Sequence, residues 1–143
     1  DVARKALILA RCLGWELELS DVDVEALYPA DMGPDRMSVA QFLEALPTLD
    51  AAFAARTAQA QAQGGALRYT AVVADGRCTV GLCVVPTGTS MGALQGTDNI
   101  VEIHSACYPE TPLVIQGAGA GAETTASGVL ADLVELAVIV QVS

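Results

Sequence analysis

The sequence predicts an α+β fold, a two-layer sandwich in which a mixed β-sheet has helices packed on one face. Two observations predict this class. Residues 1–66 combine helical periodicity with short alternating segments, whereas residues 67–85 are rich in β-branched residues on either side of Asp75-Gly76, a strong hairpin signal. Hydrophobic residues make up 52% of the 143 residues and charged residues 17%. That composition indicates a globular chain of about one domain.

The charge of the chain limits its partners. The formal net charge of −10 argues against binding to nucleic acid or to anionic membrane surfaces. The most apolar stretch, residues 129–142, contains Asp132 and Glu135 and is too short to span a bilayer. We therefore expect neither nucleic acid nor membrane among the partners.

The four cysteines show neither Cys-x-x-Cys pairing nor metal-ligand spacing, so we expect reduced, mostly buried thiols of an intracellular protein. They are Cys12, Cys78, Cys83 and Cys107. No signal or transit peptide is visible. The chain begins at Asp1 without a methionine, which predicts a fragment whose upstream part is missing.

Residues 1–13 are predicted to form a helix that stops at Gly14. Asp1 and Lys5 lie four residues apart and therefore share one face of that helix. On spacing alone they form a solvated ion pair that contributes about 0.3–0.5 kcal/mol. The apolar stripe that should face the core consists of Val2, Ala6, Leu9, Ala10 and Leu13.

The next segments predict strands and a loop. Residues 15–19 alternate, with Trp15, Leu17 and Leu19 on one face and glutamates on the other, which is typical of a half-buried strand. Residues 22–28 extend a second strand, and residues 29–36, with two prolines and a glycine, predict a loop.

Two helices should follow in the first half of the chain. Ser38 and Gln41 form a capping-box pattern that predicts a helix start, and this helix should end near Pro47. Thr48 can cap the next helix, which the alanine-rich segment 49–63 favours.

The second half is predicted to contain four strands and a final helix. Residues 67–73 and 79–85 form the hairpin, and residues 100–104 form a further strand. The last strand, residues 113–115, leads through a glycine loop into a helix that starts near residue 122.

The glycine loop invites comparison with a dinucleotide fingerprint. Its glycines are Gly117, Gly119 and Gly121, so the third comes one residue early for Gly-x-Gly-x-x-Gly, and no second strand follows. Two interpretations remain open. The loop is a tight strand-to-helix connection, or it contacts a ligand that another domain mainly holds.

No complete catalytic set is visible in the sequence. His104 is the only histidine, and its position in a predicted strand favours a structural role over that of a base. Asp98 and Asn99 precede the same strand, where they predict turn chemistry.

Taken together, five motifs resemble the C-terminal part of homoserine dehydrogenase, including the plant-type enzymes fused to aspartokinase. They occur in the family's order and run nearly from end to end of the chain. They are Asp1-Val-Ala-Arg-Lys5 with Ile8-Leu-Ala-Arg11, Glu16-Leu-Glu-Leu-Ser20, Leu67-Arg-Tyr69, Gly96-Thr-Asp-Asn99 and Val114-Ile-Gln-Gly-Ala-Gly-Ala-Gly121.

The resemblance implies a function and a division of the chain. The family reduces aspartate 4-semialdehyde to homoserine with NADP or NAD, in the biosynthesis of threonine, methionine and isoleucine. By resemblance, residues 1–66 are the catalytic region, residues 67–121 a dimerisation β-region of a homodimer, and residues 122–143 a helix that packs on a cofactor domain. That N-terminal Rossmann domain is absent from this sequence, so we expect the chain alone to be inactive. The implied location is the cytoplasm or the chloroplast.

The resemblance also implies roles for three residues. Lys5 matches the catalytic lysine, which exchanges a proton with the substrate oxygen. Asp1 matches an acid that binds homoserine and orients the lysine, and Gly121 matches a glycine that contacts the cofactor. We assign no residue of the chain to a metal site. The competing hypothesis is a non-catalytic dimerisation or ligand-sensing module built on the same fold.

Two departures from the family pattern concern the second half. The segment 86–93 lacks the His-Pro-Phe that commonly precedes the Gly-x-Asp-Asn motif, and the C-terminal residues 138–143 differ from the usual helical end.

Overall fold

The computed structural model describes residues 1–142, and the chain divides into two compact units. The first unit comprises Asp1–Gly92 and the second begins at Ala93. The first unit contains α1 (Val2–Cys12), β1 (Val22–Val24), α2 (Val39–Ala45), α3 (Asp50–Ala62), β2 (Gly65–Ala74) and β3 (Arg77–Pro86). The second contains β4 (Asp98–Ser105), β5 (Tyr108–Ala118) and α4 (Ala122–Val142).

The sheet of the first unit is mixed, as predicted. Its strand order is β1-β3-β2, with β1 parallel and β2 antiparallel to β3. Asp75 and Gly76 connect β2 to β3 as a two-residue turn, and both have positive φ, 51° and 75°. Positive φ at both central residues defines the type I′ turn that matches the twist of hairpin strands. The predicted hairpin is therefore confirmed.

The helices α1 and α3 pack on one face of this sheet, which confirms the predicted sandwich. The core joins Ala6, Leu7 and Ala10 of α1 to Val22, Cys78 and Val80 of the strands. Alternate residues of a strand point to the same face, so Leu82 and Val84 of β3 share the face of Cys78 and Val80. They line a cavity together with α3.

The predicted apolar stripe of α1 is partly wrong. The buried residues are Ala6, Leu7 and Ala10, whereas Leu9 is 46% and Leu13 61% exposed. The reason is that α1 carries apolar residues on both of its faces, and periodicity does not tell which face meets the sheet. The exposed face includes Ile8 as well.

The strand predicted at residues 15–19 is wrong, and its buried face was predicted correctly only in part, because Leu19 is 45% exposed. Residues 15–18 are irregular and a 3-10 turn, Leu19–Asp21, follows. Trp15 and Leu17 do pack against the core. The Arg11 guanidinium donates two hydrogen bonds to the Leu17 carbonyl oxygen, at 3.0 and 2.9 Å, so a side chain takes the place of a neighbouring strand. The second predicted strand, at 22–28, is observed only over Val22–Val24.

The helix starts show one correct and one wrong cap. At α2 the Gln41 amide donates to Ser38 Oγ and the Gln41 side chain accepts from the Ser38 amide, which confirms the capping box. Thr48 does not cap α3, because it lies in the 3-10 segment Leu46–Leu49 and its hydroxyl donates to the Ala45 carbonyl oxygen.

The second unit contains an antiparallel sheet of two strands, β4 and β5. Asp98 and Asn99 are the first residues of β4 rather than turn residues, since they pair with Ala118 and Gly117. The predicted C-terminal helix is observed as α4, and Ser143 lies outside the described residues. Of the helices described, none is long and apolar enough to cross a membrane.

The cysteines are free thiols, but the prediction that they are mostly buried is wrong. Cys78 is buried and Cys83 half-buried, whereas Cys12 and Cys107 are exposed. Cys12 is the last residue of α1, and Cys107 lies in the turn between β4 and β5. Both lie at or beyond the end of a helix or strand, outside the contacts between α1 and the sheet that bury Cys78.

Glu25, which follows β1, contacts three elements of the first unit. Its carboxylate accepts hydrogen bonds from the Leu82 amide of β3 at 2.9 Å and from Arg56 of α3 at 3.1 Å. Its backbone carbonyl accepts from the Tyr69 hydroxyl of β2 at 3.0 Å. The chain approaches closely here because Gly81 has no side chain, and a Cβ at that position would lie 2.9 Å from Glu25 Oε2.

These contacts predict a pH-dependent contribution to stability. The Leu82 amide, and then Arg56, lower the pKa of Glu25 below its ordinary value of 4.5. A carboxylate whose pKa is lower in the folded state stabilises the fold above that ordinary value. The contribution is lost as the pH falls through the lowered pKa. Glu25→Gln should therefore lower the melting temperature at neutral pH, and the difference from the parent should shrink in acid.

Thermal unfolding followed by circular dichroism between neutral pH and about pH 3 checks this. The exposed Glu44 of α2 provides the matched control as Glu44→Gln, which should change the melting temperature little at any pH. An equal effect of both variants would show that the Glu25 contacts do not stabilise the fold.

Candidate active site

The two residues predicted to act together are in contact at the start of α1. Lys5 Nζ lies 3.2 Å from Asp1 Oδ2, and their side chains are 64% and 80% exposed. Asp1 is the N-cap residue, but its carboxylate makes no capping hydrogen bond. The carboxylate is therefore free to hold the ammonium group. The Lys5 amide donates to the Asp1 carbonyl oxygen at 3.2 Å, which fixes the backbone beneath the pair.

The helix that carries this pair is held firmly on its other side. Ala6, Leu7 and Ala10 bury the opposite face against the sheet, so the pair projects from a rigid element. Sites built on packed helices hold their groups more closely than sites on loops. The neighbouring residues on the exposed face, Ile8 and Leu9, are apolar. The surface beside the ion pair is thus a charged edge followed by an apolar strip.

The pair can serve as a positioned proton donor. An ammonium group held by a carboxylate can protonate an oxygen that gains negative charge in a reaction. The carboxylate can also accept a hydrogen bond from a cationic group on a substrate. The same geometry is found in ion pairs at helix surfaces that have no catalytic role.

Gly121 lies in the second unit, at the junction between the glycine loop and α4. Its φ is 144°, in the region that favours glycine. Its carbonyl oxygen accepts the first hydrogen bond of α4, from the Thr125 amide at 3.1 Å. A Cβ at this position would meet only Thr124 Oγ1, at 3.7 Å. The backbone is therefore open to the approach of a flat ligand.

The other two glycines of the loop have different surroundings. Gly117 is part of β5, and a side chain there would meet nothing within 4 Å. Gly119 packs against the Asn99 side chain, and its amide donates to the Thr97 carbonyl oxygen at 3.0 Å. Close packing explains Gly119, as the tight-connection interpretation predicts. Only Gly121 of the three combines a positive φ with open space.

Other sequence candidates do not form a second site within residues 1–142. His104 lies on β4, as predicted, and is exposed. Within the described part of the chain, no group of three or more His, Cys, Asp or Glu residues could hold a metal ion.

Sequence reasoning missed the contact between Glu25 and Arg56. Their side chains meet across 31 positions, at 3.1 Å, and no local pattern marks such a pair. Arg56 lies on the exposed side of α3, where polar residues are ordinary, so its position gave no signal of the contact.

Comparisons with known proteins bear on these residues. The family model described as homoserine dehydrogenase matches residues 1–134, which include Asp1, Lys5 and Gly121. The chain belongs to the homoserine dehydrogenase family. The match extends over both compact units and ends within α4.

Curated relatives of this homoserine dehydrogenase family member include fused and single-function enzymes. The bifunctional aspartokinase/homoserine dehydrogenase of Haemophilus influenzae is 41% identical over 133 residues, which are 93% of this chain and 16% of that protein. The homoserine dehydrogenase of Paracoccidioides brasiliensis is 40% identical over 139 residues, 95% of this chain and 37% of that protein. The chain therefore spans well under half the length of these relatives.

Two solved structures share the fold. A Candida auris protein described as being of unknown function has a TM-score of 0.79 and 41% identity, over 94% of this chain and 38% of that one. A putative homoserine dehydrogenase from Archaeoglobus fulgidus has a TM-score of 0.59 and 24% identity, over 94% of this chain and 34% of that one.

Proposed function

We propose that this chain is the substrate-side portion of an NAD(P)-dependent homoserine dehydrogenase. The enzyme interconverts L-aspartate 4-semialdehyde and L-homoserine in the biosynthesis of threonine, methionine and isoleucine. The observation that carries the proposal is the ion pair between Asp1 and Lys5, 3.2 Å apart on a packed helix of a chain that belongs to this family.

The residues of the chain fit the proton chemistry of that reaction. The nicotinamide cofactor, when bound, supplies or accepts the hydride. Reduction of the aldehyde leaves negative charge on the substrate oxygen, and the Lys5 ammonium can donate its proton there. In oxidation the same nitrogen accepts the hydroxyl proton. Asp1 holds the Lys5 side chain in place and can bind the substrate's ammonium group.

Gly121 is proposed to contact the cofactor through its backbone. Its open surroundings and positive φ suit a glycine over which a flat ring must pass closely. Whether the cofactor is NAD or NADP is set by groups that read the ribose, and we assign none of those to this chain. We propose the same division as before: residues 1–66 catalytic, 67–121 for dimerisation, and 122–143 a helix that packs on the cofactor domain.

The test of this function is oxidation of homoserine by the full-length protein, followed by the absorbance of the reduced nicotinamide at 340 nm with either cofactor. Turnover with homoserine, and none with an equal concentration of serine or threonine, is the expected result. A purified, folded full-length protein that turns over neither cofactor would favour the non-catalytic module instead.

We further propose that the protein is a homodimer and that the β4–β5 sheet contributes to its interface. One face of this sheet is apolar and exposed, and alternation along the two strands places its side chains together. The face consists of Val101, Ile103, Leu113 and Ile115. Soluble monomers rarely leave contiguous apolar surface of this kind exposed.

Sedimentation velocity at micromolar concentration should therefore show a dimer. Ile115→Lys should shift the protein toward monomer, because it places a charge within the apolar face. The control is Gln116→Lys, one residue along β5 on the opposite face, which should leave the sedimentation coefficient unchanged. A clean monomer for the unaltered protein would contradict the homodimer.

A further inference from the structure

A cavity of about 220 Å³ lies between α3 and the sheet of the first unit. Its floor is apolar and is formed by Leu67 of β2 with Leu82 and Val84 of β3. Its polar side is formed by Arg56 and Gln59 of α3 and by Gln63, which directly follows the helix, and all three residues are exposed. The cavity is therefore apolar on the side of the sheet and polar on the side of α3.

The helix α3 has a narrow contact with the sheet. In α3 only Ala60 is buried, and Arg56 and Gln59 lie at the exposed edge of the helix. Ala60 lies close to Gly65, because a Cβ at Gly65 would lie 3.4 Å from the Ala60 carbonyl oxygen. The helix and sheet thus meet at this end, and the longer polar side chains leave the cavity open beside it.

Two contacts hold the Arg56 side chain in place beside the cavity. Its Nη2 donates to Glu25 Oε1 at 3.1 Å, and its guanidinium carbon lies 6.0 Å from the centre of the Phe53 ring. A guanidinium has five N–H donors in a planar fork, and among the described residues only Glu25 accepts a hydrogen bond from that of Arg56. An arginine fixed by an ion pair and an aromatic ring is prepared to bind a carboxylate through its remaining edge.

We propose that this cavity binds a small aliphatic carboxylate. The carboxylate group would accept hydrogen bonds from Arg56 and from the amide group of Gln59 or Gln63, and the aliphatic part would lie on Leu67, Leu82 and Val84. This site is separate from the proposed dehydrogenase function and does not depend on it.

The size of the cavity favours a small molecule over a protein segment. Clefts that hold drug-sized ligands have volumes of roughly 300–1,000 Å³, and this cavity is smaller. It suits an acid of about four or five carbon atoms. Its polar groups lie on one side only, which sets a single orientation: the charged end toward α3 and the apolar end toward the sheet.

Saturation-transfer NMR with butyrate, applied to the full-length protein, tests the proposal. Butyrate should receive saturation from the protein, and n-butanol, which has the same chain without the carboxylate, should bind at least about tenfold more weakly. A charge-assisted hydrogen bond contributes about 1.5–3 kcal/mol, and tenfold corresponds to about 1.4 kcal/mol. Arg56→Gln should weaken butyrate binding by at least that factor.

Two further variants protect the test against misfolding and general charge effects. The double variant Gln59→Leu/Gln63→Leu removes both candidate amide donors, leaves the bond between Glu25 and Arg56 in place, and should weaken butyrate binding without lowering the melting temperature. Arg77→Gln removes an exposed arginine from the start of β3, outside the cavity lining, and should leave binding unchanged. Absence of binding to the unaltered protein, or equal binding by the Arg56→Gln and Arg77→Gln variants, would overturn the proposal.

Discussion

Replacing Lys5 by methionine in the full-length enzyme should lower kcat for aldehyde reduction by about 10²–10⁴-fold, the usual contribution of general acid–base catalysis. Methionine keeps much of the side-chain length but has no proton to donate. The fold should survive, because the Lys5 side chain is mostly exposed and its recorded side-chain partner is Asp1. Circular dichroism of the variant checks the fold, and single-turnover kinetics check the chemical step.

The matched control is Arg4→Met, which removes a neighbouring exposed cation from the same helix and should leave kcat nearly unchanged. Asp1→Asn should raise the Michaelis constant for homoserine, because a charge-assisted contact is lost. If the folded Lys5→Met enzyme keeps kcat within about threefold of the parent, well short of the contribution expected of an acid catalyst, the pair is an ordinary surface ion pair.

Gly121→Val should raise the Michaelis constant for the nicotinamide cofactor or abolish turnover. A β-branched residue is poorly compatible with a φ of 144°, and its side chain would occupy the space through which backbone must approach the ligand. The measurement is steady-state kinetics with the cofactor varied at saturating homoserine. The Michaelis constant for homoserine should change less than that for the cofactor.

Gly117→Val is the control for this substitution. Gly117 lies in the same loop region on β5, its φ is not positive, and a Cβ there would meet nothing within 4 Å. It should leave both Michaelis constants near those of the parent. A normal cofactor constant with normal turnover in the Gly121→Val enzyme would remove Gly121 from the cofactor site.

The parts of the fold that depend on interactions between neighbouring residues were predicted from short sequence motifs. The Asp75-Gly76 turn and the Ser38 capping box were predicted because each is specified by a few adjacent residues whose backbone geometry is narrow. The spacing of Asp1 and Lys5 also placed them together. The catalytic role proposed for them, however, rests on the family resemblance, since spacing alone predicts an ordinary ion pair.

The wrong predictions depended on contacts with distant residues. Alternation in residues 15–19 identified Trp15 and Leu17 as half-buried but placed the exposed Leu19 on the same face. Whether a strand forms there depends on a partner, and Arg11 occupies that place. For the same reason Leu9 and Leu13 were assigned to the wrong face of α1. The cavity beside Arg56 could not be predicted either, because the residues that line it come from α3, β2 and β3, which are separate in sequence.

The carboxylate of Glu25 also bears on how this protein avoids aggregation. β1 pairs with β3 only from Cys78 to Val80, so within residues 1–142 no strand pairs with that edge of β3 beyond Val80. An open edge offers amide and carbonyl groups to strands of other molecules. Glu25 accepts from the first amide beyond the pairing, that of Leu82, and as a charged acceptor it cannot continue the ladder of alternating donors and acceptors. The Glu25 side chain therefore occupies the position at which a strand of another molecule would pair with β3.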